Sequence, residues 1–398
     1  MIQLIGTDRR AAGAIVAVVG LLSLLSIRFF FKYVDPPWLG YGLYVSAAVA
    51  VCVGVLRSSR FLGLVTRPWV FVLALASLFV MVLVAYPRAD ALRAVGRGSD
   101  QDDCVRTLVA NVFARREPYG FGYFGDPCST GPTEFFVYFP VQISSSYFMI
   151  VPVLSTLLGY WVLTQVTDRQ TAILLSLTQL ASWLFLEMSA IGSDMIVIAW
   201  LFAAATVASC KGIRDRNTAL TIVGGVAFCL FAGSRVPLIV VAAGSLWVLL
   251  VVFRARALRV VLPVTLVTAA FYLGTYAAAP SSFTPGHLGA KSVNILRYLG
   301  GGDLTAFLVG MAVLLVVLAI ASLRADSKTF VQRHYFAANL LAITLPMAAV
   351  AVWDLSRRGF SPAEWEGLNY LFLCVPSLLV AVGSWLRARA HSVTAAPP

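Results

Sequence analysis

An all-α bundle of about twelve membrane-spanning helices is the fold that this sequence predicts, and three observations predict it. Hydrophobic residues make up 60% of the 398, charged residues only 12%, and the mean hydropathy is +0.86, too apolar for a water-soluble domain of this size. Apolar runs of about 17–25 residues, enough to cross a hydrocarbon core of about 30 Å, recur from end to end. None of these runs shows the alternation of a β-barrel strand, so each is expected to satisfy its backbone as a helix.

The net charge of +12 has a topological explanation and does not call for nucleic acid: basic patches interleaved with aromatics on a soluble surface are absent. Alternating twelve spans from a cytoplasmic N-terminus puts about 17 Lys and Arg against 4 Asp and Glu on the cytoplasmic side, and about 13 against 14 on the other. The basic turns RSSRFLGLVTR, KGIRDRN and FRARALR and the RARAH segment then all lie inside. The expected placement is therefore a plasma membrane, with both termini cytoplasmic.

The elements follow in order. The run Ala11 to Ile27, behind Arg9 and Arg10, reads as an uncleaved first span because no small-residue cleavage site follows it. A short outer loop, RFFFKYVDPPW, leads to a second span near Leu43 to Leu56, and a third runs from Pro68 to Tyr86. A long polar loop, residues 87–140, comes next. The apolar stretch from Phe135 to Val166 holds one span with a re-entrant or interfacial piece before it, since Pro140 and Pro152 argue against a single straight helix. Further spans are expected near 171–188, 195–210, 218–232, 236–253, 260–278, 304–323, 335–353 and 368–386. Two more outer loops, 279–303 and 354–367, and the short GSRVP connection at Gly233 to Pro237 complete a single membrane domain over 1–398, with HSVTAAPP as a disordered tail.

The loop from Gly98 to Pro140 is the longest polar interruption, and it gathers acids, glycines, prolines and aromatics. From Gln101 to Arg116 it has helical periodicity, with Val105, Leu108, Val109, Val112 and Phe113 on one side. Such a helix is expected to lie in the interface plane with its apolar stripe toward the bilayer. Asp102 falls about 60° from the centre of that stripe, whereas Asp100 and Asp103 point more toward water. Asp102 is thus the acid best placed to face a cleft at the membrane surface. The same residues also fit helix capping: Ser99 with Asp102 forms a capping box, and acids favour a helix N-terminus. Of six cysteines, only Cys104 and Cys128 share a loop, and that loop is on the oxidising side. A disulfide between them is expected, with two separate thiols as the alternative.

Other candidates carry paired readings too. Asp194, after Gly192 and Ser193, is either a helix cap or a substrate contact. Arg235 at a span end either snorkels to headgroups or binds an anion. Trp365, between two glutamates, is an interfacial anchor or a platform for a sugar ring. His287 reads as a solvated loop residue. Dispersed histidines, with no HExxH and no CxxC, give no conventional metal signature, although a divalent ion at Asp102 and Asp103 is compatible with the sequence and no cofactor is specified.

A juxtamembrane acid, an amphipathic helix, the Pro118-Tyr119 pair and the Gly131-Pro132 turn leading back to the membrane together resemble the first catalytic loop of GT-C glycosyltransferases. The resemblance is closest to the polyprenol-phosphate-mannose-dependent mannosyltransferases of actinobacterial envelopes. The GSD at Gly192 to Asp194 and GGVAFCLFAGSRVP at Gly224 to Pro237 are similar to features of that family as well, so the likeness covers roughly residues 87–237. In many members the acidic loop follows the first span; here it follows the third, which implies two added N-terminal spans or a divergent subfamily. The C-terminal half carries no recognisable signature. The resemblance implies a GT-C-like bundle and an inverting transfer of mannose or a pentose. The donor would be a polyprenyl-phosphate sugar and the acceptor an envelope glycolipid or glycan, outside the cytoplasm. It assigns Asp102 as base, with Asp103 or Asp100 as alternatives, Arg235 to the donor phosphate, and Tyr119, Asp194 and Trp365 to the substrates. The competing class is a transporter or flippase of lipid-linked precursors. Ionisable groups such as Glu187, Asp194 and Arg235 near span ends, with no related halves, argue against that class.

Overall fold

The computed structural model describes residues 8–95, 101–118, 123, 128, 130–235, 238, 255–278, 344, 362–364 and 370–394. Among them every regular element is helical: α1 (Arg9–Leu25), α2 (Ile27–Tyr33), α3 (Pro37–Arg57), α4 (Ser59–Val65), α5 (Pro68–Ala91), α6 (Gln101–Phe113), α7 (Glu134–Tyr138), α8 (Tyr147–Val166), α9 (Arg169–Leu180), α10 (Trp183–Ala190), α11 (Met195–Arg214), α12 (Thr218–Ala232), α13 (Ala255–Ala278) and α14 (Val375–Thr394), with short 3-10 turns between some of them. Seven described helices are long and apolar enough to cross a bilayer, or eight if the bent α9–α10 pair is one span. The expected spans at 236–253, 304–323 and 335–353 lie outside the described residues, apart from single positions.

Apolar side chains cover the outside of the bundle. Leu43 of α3, Val72 and Val80 of α5, and Leu262 and Leu273 of α13 are all more than half exposed, the pattern of helices whose solvent is lipid. The core is centred on α11, which lies closest to α12. A Cβ on Gly224 would sit 2.6 Å from the backbone nitrogen of Ser209, and one on Gly212 would sit 2.5 Å from that of Thr221. The small residues of the GGVAFCLFAG stretch therefore serve a close backbone approach. Gly159 of α8 makes room in the same way for the indole of Trp200.

Three boundaries differ from the sequence expectation, and the first is the HSVTAAPP segment, expected as a disordered tail, whose residues His391 to Thr394 belong to α14. The RFFFKYVDPPW segment, expected as a loop, is largely helix: α1 continues through Ser26 into α2, which packs against Pro362–Glu364. The span expected at 171–188 is bent by 68° between Leu180 and Trp183. Side chains compensate the break: the Tyr44 hydroxyl donates to the Ala181 carbonyl at 3.3 Å, and the Ser26 and Ser182 hydroxyls lie 3.2 Å apart. An interrupted intramembrane helix needs such partners for its unpaired backbone groups.

Polar contacts gather at the two ends of the bundle. At one end Asp8, the N-cap of α1, accepts from Arg389 of α14 at 2.6 Å, and Lys211 of α11 reaches Gln165 of α8 at 3.3 Å. At the other end the C-terminus of α5, the N-termini of α8 and α11 and the C-terminus of α12 surround α6 and α7.

Candidate functional site

The helix α6 buries Val105, Leu108 and Val109, while Val112 and Phe113 at its far end are exposed. Asp102 lies on the buried side and is only 1% exposed. Its Oδ2 accepts a hydrogen bond from the Tyr86 hydroxyl of α5 at 2.7 Å. One turn along, Arg106 brings Nε to 3.5 Å from the same oxygen and donates from Nη2 to the Tyr86 oxygen at 2.5 Å. The guanidinium carbon of Arg106 also stands 5.0 Å from the centre of the Phe148 ring, a cation–π contact. Asp102 is therefore held by two side chains from outside its own first turn, which is more than capping alone requires.

Burial raises the Asp102 carboxyl to about 6; the Tyr86 hydrogen bond opposes the rise, and the neighbouring Asp103 charge adds to it. An acid with that value changes charge close to neutral pH, the range in which a general base works best. The segment before α11 closes the back of this site. Gly192 has φ +67°, and a Cβ there would come within 2.9 Å of the Tyr86 ring and 3.1 Å of the Asp102 Cβ. Only glycine meets both the conformation and the space.

A second cluster lies on the neighbouring segments. Arg235, at the turn after α12, donates to Asp194 and holds its Nε 3.8 Å from Glu134 Oε1. Glu134 and Asp194 are 0% exposed and Arg235 is 7% exposed. These contacts bear on the capping alternative for Asp194 and the snorkelling alternative for Arg235. Asp194 is the N-cap residue of α11, yet its side chain makes no capping bond and turns to Arg235 instead. Arg235 does not snorkel to headgroups, because the two carboxylates draw it inward. Its charge faces both acids, which leaves it less suited to hold a phosphate than a solvent-facing cation.

The Gly131-Pro132 turn fixes the geometry of this cluster. A Cβ on Gly131 would sit 2.5 Å from the Ser234 Cα and 2.6 Å from the Gly233 oxygen. Thr133 donates to the Leu230 carbonyl at 2.8 Å, and the Gly131 amide donates to Glu134 Oε1 at 3.3 Å. Tyr138 of α7 stacks on Phe148 with ring centres 5.6 Å apart, so Phe148 touches both the Asp102 group and the Glu134 group. A disulfide joins Cys104 of α6 to Cys128, with Cα atoms 5.2 Å apart, and ties the returning loop to the helix that carries Asp102.

The structure thus brings Asp102, Asp103, Asp194 and Arg235 to one end of the bundle, while Asp100, Tyr119, His287 and Trp365 lie outside the described residues. Sequence reasoning passed over Tyr86, Arg106 and Glu134. Glu134 had one signal, its position three residues after Gly131 in a turn that leads back to the membrane. Tyr86 had none, because it sits in an apolar span whose partner is distant in sequence. Also unforeseen is a pair of cations, Arg28 and Lys32 of α2, each 3.7 Å from the buried Glu187. Among the described residues no group of three His, Cys, Asp or Glu side chains is arranged to hold a metal ion. Comparisons of the chain with protein-family models, with curated proteins and with solved structures find no match.

Proposed function

We propose that the chain is a polytopic glycosyltransferase of GT-C type that takes a sugar from a polyprenyl-phosphate donor and passes it to an envelope glycolipid or glycan outside the cytoplasm. The observation that carries this reading is Asp102: a buried carboxylate with a value near 6, held by Tyr86 and Arg106 where the bilayer-crossing helices end. A lipid-anchored sugar presents its anomeric carbon at that depth while its isoprenoid tail stays in the hydrocarbon. Asp102 takes the proton from the acceptor hydroxyl, and the freed oxygen attacks the anomeric carbon. The bond from that carbon to the phosphate oxygen breaks, and its electron pair leaves with the polyprenyl phosphate, inverting the anomeric centre.

The departing phosphate needs a cation. Arg106 is the stronger candidate: its side chain is 34% exposed and it stands one turn from the base. Arg235 acts by holding the Asp194 and Glu134 segments in register behind the site. Asp103 and Asp100 remain the alternatives for the base, and Tyr119 and Trp365 for sugar contacts.

The test is reconstitution of the protein in liposomes with labelled polyprenyl-phosphate mannose or pentose and an envelope glycolipid acceptor. Label appearing covalently on the acceptor supports transfer. Label crossing the vesicle chemically unchanged identifies a flippase and overturns the reading.

A further inference from the structure

Glu134 and Asp194 share one guanidinium, and the charges do not balance. Asp194 Oδ2 accepts from Arg235, and Glu134 Oε1 accepts from the Gly131 amide while facing Arg235 Nε at 3.8 Å. That leaves Glu134 Oε2 and Asp194 Oδ1 fully buried with no hydrogen-bond donor. Two ionised carboxylates against one cation would bury a net negative charge as well as two unsatisfied oxygens, a costly arrangement in a buried site. One proton between them removes both faults.

We propose that Glu134 is protonated in the resting protein and donates its hydrogen to Asp194 Oδ1, so that the Gly131–Glu134 turn, the start of α11 and the turn after α12 are fastened by a charge-neutral triad. The proton belongs on Glu134 because the direct hydrogen bond from Arg235 goes to Asp194, whereas Glu134 only faces Arg235 Nε at 3.8 Å. Burial, and then the Asp194 charge, push the Glu134 carboxyl well above the usual carboxylate range.

Among the described residues the other ionisable groups nearby do not supply the missing charge. Tyr138, one turn along α7, and Tyr370, near Arg235, are phenols, which carry no positive charge in any protonation state. On the adjoining α6, Asp102 and Arg106 are directed to Tyr86, with Asp103 beside Asp102. The assignment does not depend on the reaction proposed above. It makes Glu134 a positioning residue: the triad fixes the Gly192–Asp194 segment, and Gly192 abuts Asp102 and Tyr86. At neutral pH the folded chain keeps a proton that an unfolded glutamate has released. Stability contributed here is therefore complete below the ordinary glutamate range and is lost as pH rises toward the Glu134 value.

The experiment compares wild type, Glu134→Gln and Glu134→Ala as full-length protein in detergent or nanodiscs. Infrared titration follows the C=O stretch of protonated carboxyl groups, and circular dichroism gives the thermal midpoint across pH 5 to 9. The glutamine amide can donate to Asp194 and accept from Gly131 as the acid does. Glu134→Gln should therefore remove one protonated-carboxyl band at pH 7, hold or raise the midpoint, and flatten its fall with pH, whereas Glu134→Ala lowers the midpoint at every pH. The proposal is overturned if wild type and Glu134→Gln have the same protonated-carboxyl spectrum, or if glutamine destabilises as much as alanine. A wild-type midpoint that drops on chelation would put a metal ion where the proton is assigned, and would overturn it equally.

Discussion

Replacing Tyr86 with Phe removes a single hydroxyl and asks how much the charge state of Asp102 depends on it. The Tyr86 hydroxyl donates to Asp102 Oδ2 at 2.7 Å in a buried setting. A hydrogen bond to an ionised group is worth about 1.5–3 kcal/mol, and one pH unit corresponds to about 1.4 kcal/mol, so its loss lifts the carboxyl by about 1–2 units. Arg106 Nε stays 3.5 Å from the carboxylate and limits the lift to the lower end of that range. The Asp102 value should thus move from about 6 to roughly 7. A base works only when ionised, so transfer rises with pH, and the assay is the pH profile of kcat/KM for sugar transfer in liposomes. Tyr86→Phe should shift the acidic limb upward by about 1 unit, cost about tenfold in rate well below pH 6, and converge with wild type at high pH. An unmoved limb, or an equal loss at every pH, would refute the reasoning, because it would separate the observed hydrogen bond from the titration that governs the rate.

Three other substitutions probe the frame. Arg235→Ala leaves Glu134 and Asp194 without their shared cation, and should destabilise by about 3–5 kcal/mol in thermal or denaturant unfolding; a change within about 0.5 kcal/mol would show that the triad does not hold the fold. Gly192→Ala forces a side chain into a left-handed backbone position against Tyr86 and Asp102, and should cost about 1–3 kcal/mol and lower transfer activity together; unchanged activity would place the Gly192 segment away from the chemistry. Cys104→Ser opens a loop with a sequence separation of 24 and should cost about 3.5 kcal/mol on the chain-entropy model. Added reductant should reproduce that loss in wild type but leave the variant unaffected.

Much of the architecture was legible because hydropathy acts locally. Runs such as Pro68 to Tyr86 announce a span without knowledge of their neighbours, and the periodicity of Val105, Leu108 and Val109 places Asp102 on the inner side of α6. The same stripe continues to Val112 and Phe113, which are exposed on the protein although the Phe113 ring stands 5.8 Å from that of Phe135. The break at Ala181–Ser182 was illegible because no proline marks it: the partners that make it tolerable, Ser26 and Tyr44, are more than 130 residues away. Asp194 and Arg235 were each left with two readings for a related reason. Local sequence offers each a common role, capping or snorkelling, and the competing interaction is visible only once α11, α12 and the Gly131-Pro132 turn converge. Buried ion pairs between distant segments have no local pattern, so Glu134 drew no attention and Glu187 was read only as an acid near a span end, although both are almost fully buried.

The most direct measurement is transfer of labelled sugar from a polyprenyl-phosphate donor by the purified Asp102→Asn protein in liposomes, beside wild type at pH 7.5. Asparagine keeps the shape and can still meet the Tyr86 hydroxyl, so fold and donor binding should survive while turnover falls by about 10²–10⁴-fold, the usual contribution of a positioned base. Asp102→Asn protein that transfers sugar at the wild-type rate would contradict the assignment of this carboxylate as the base.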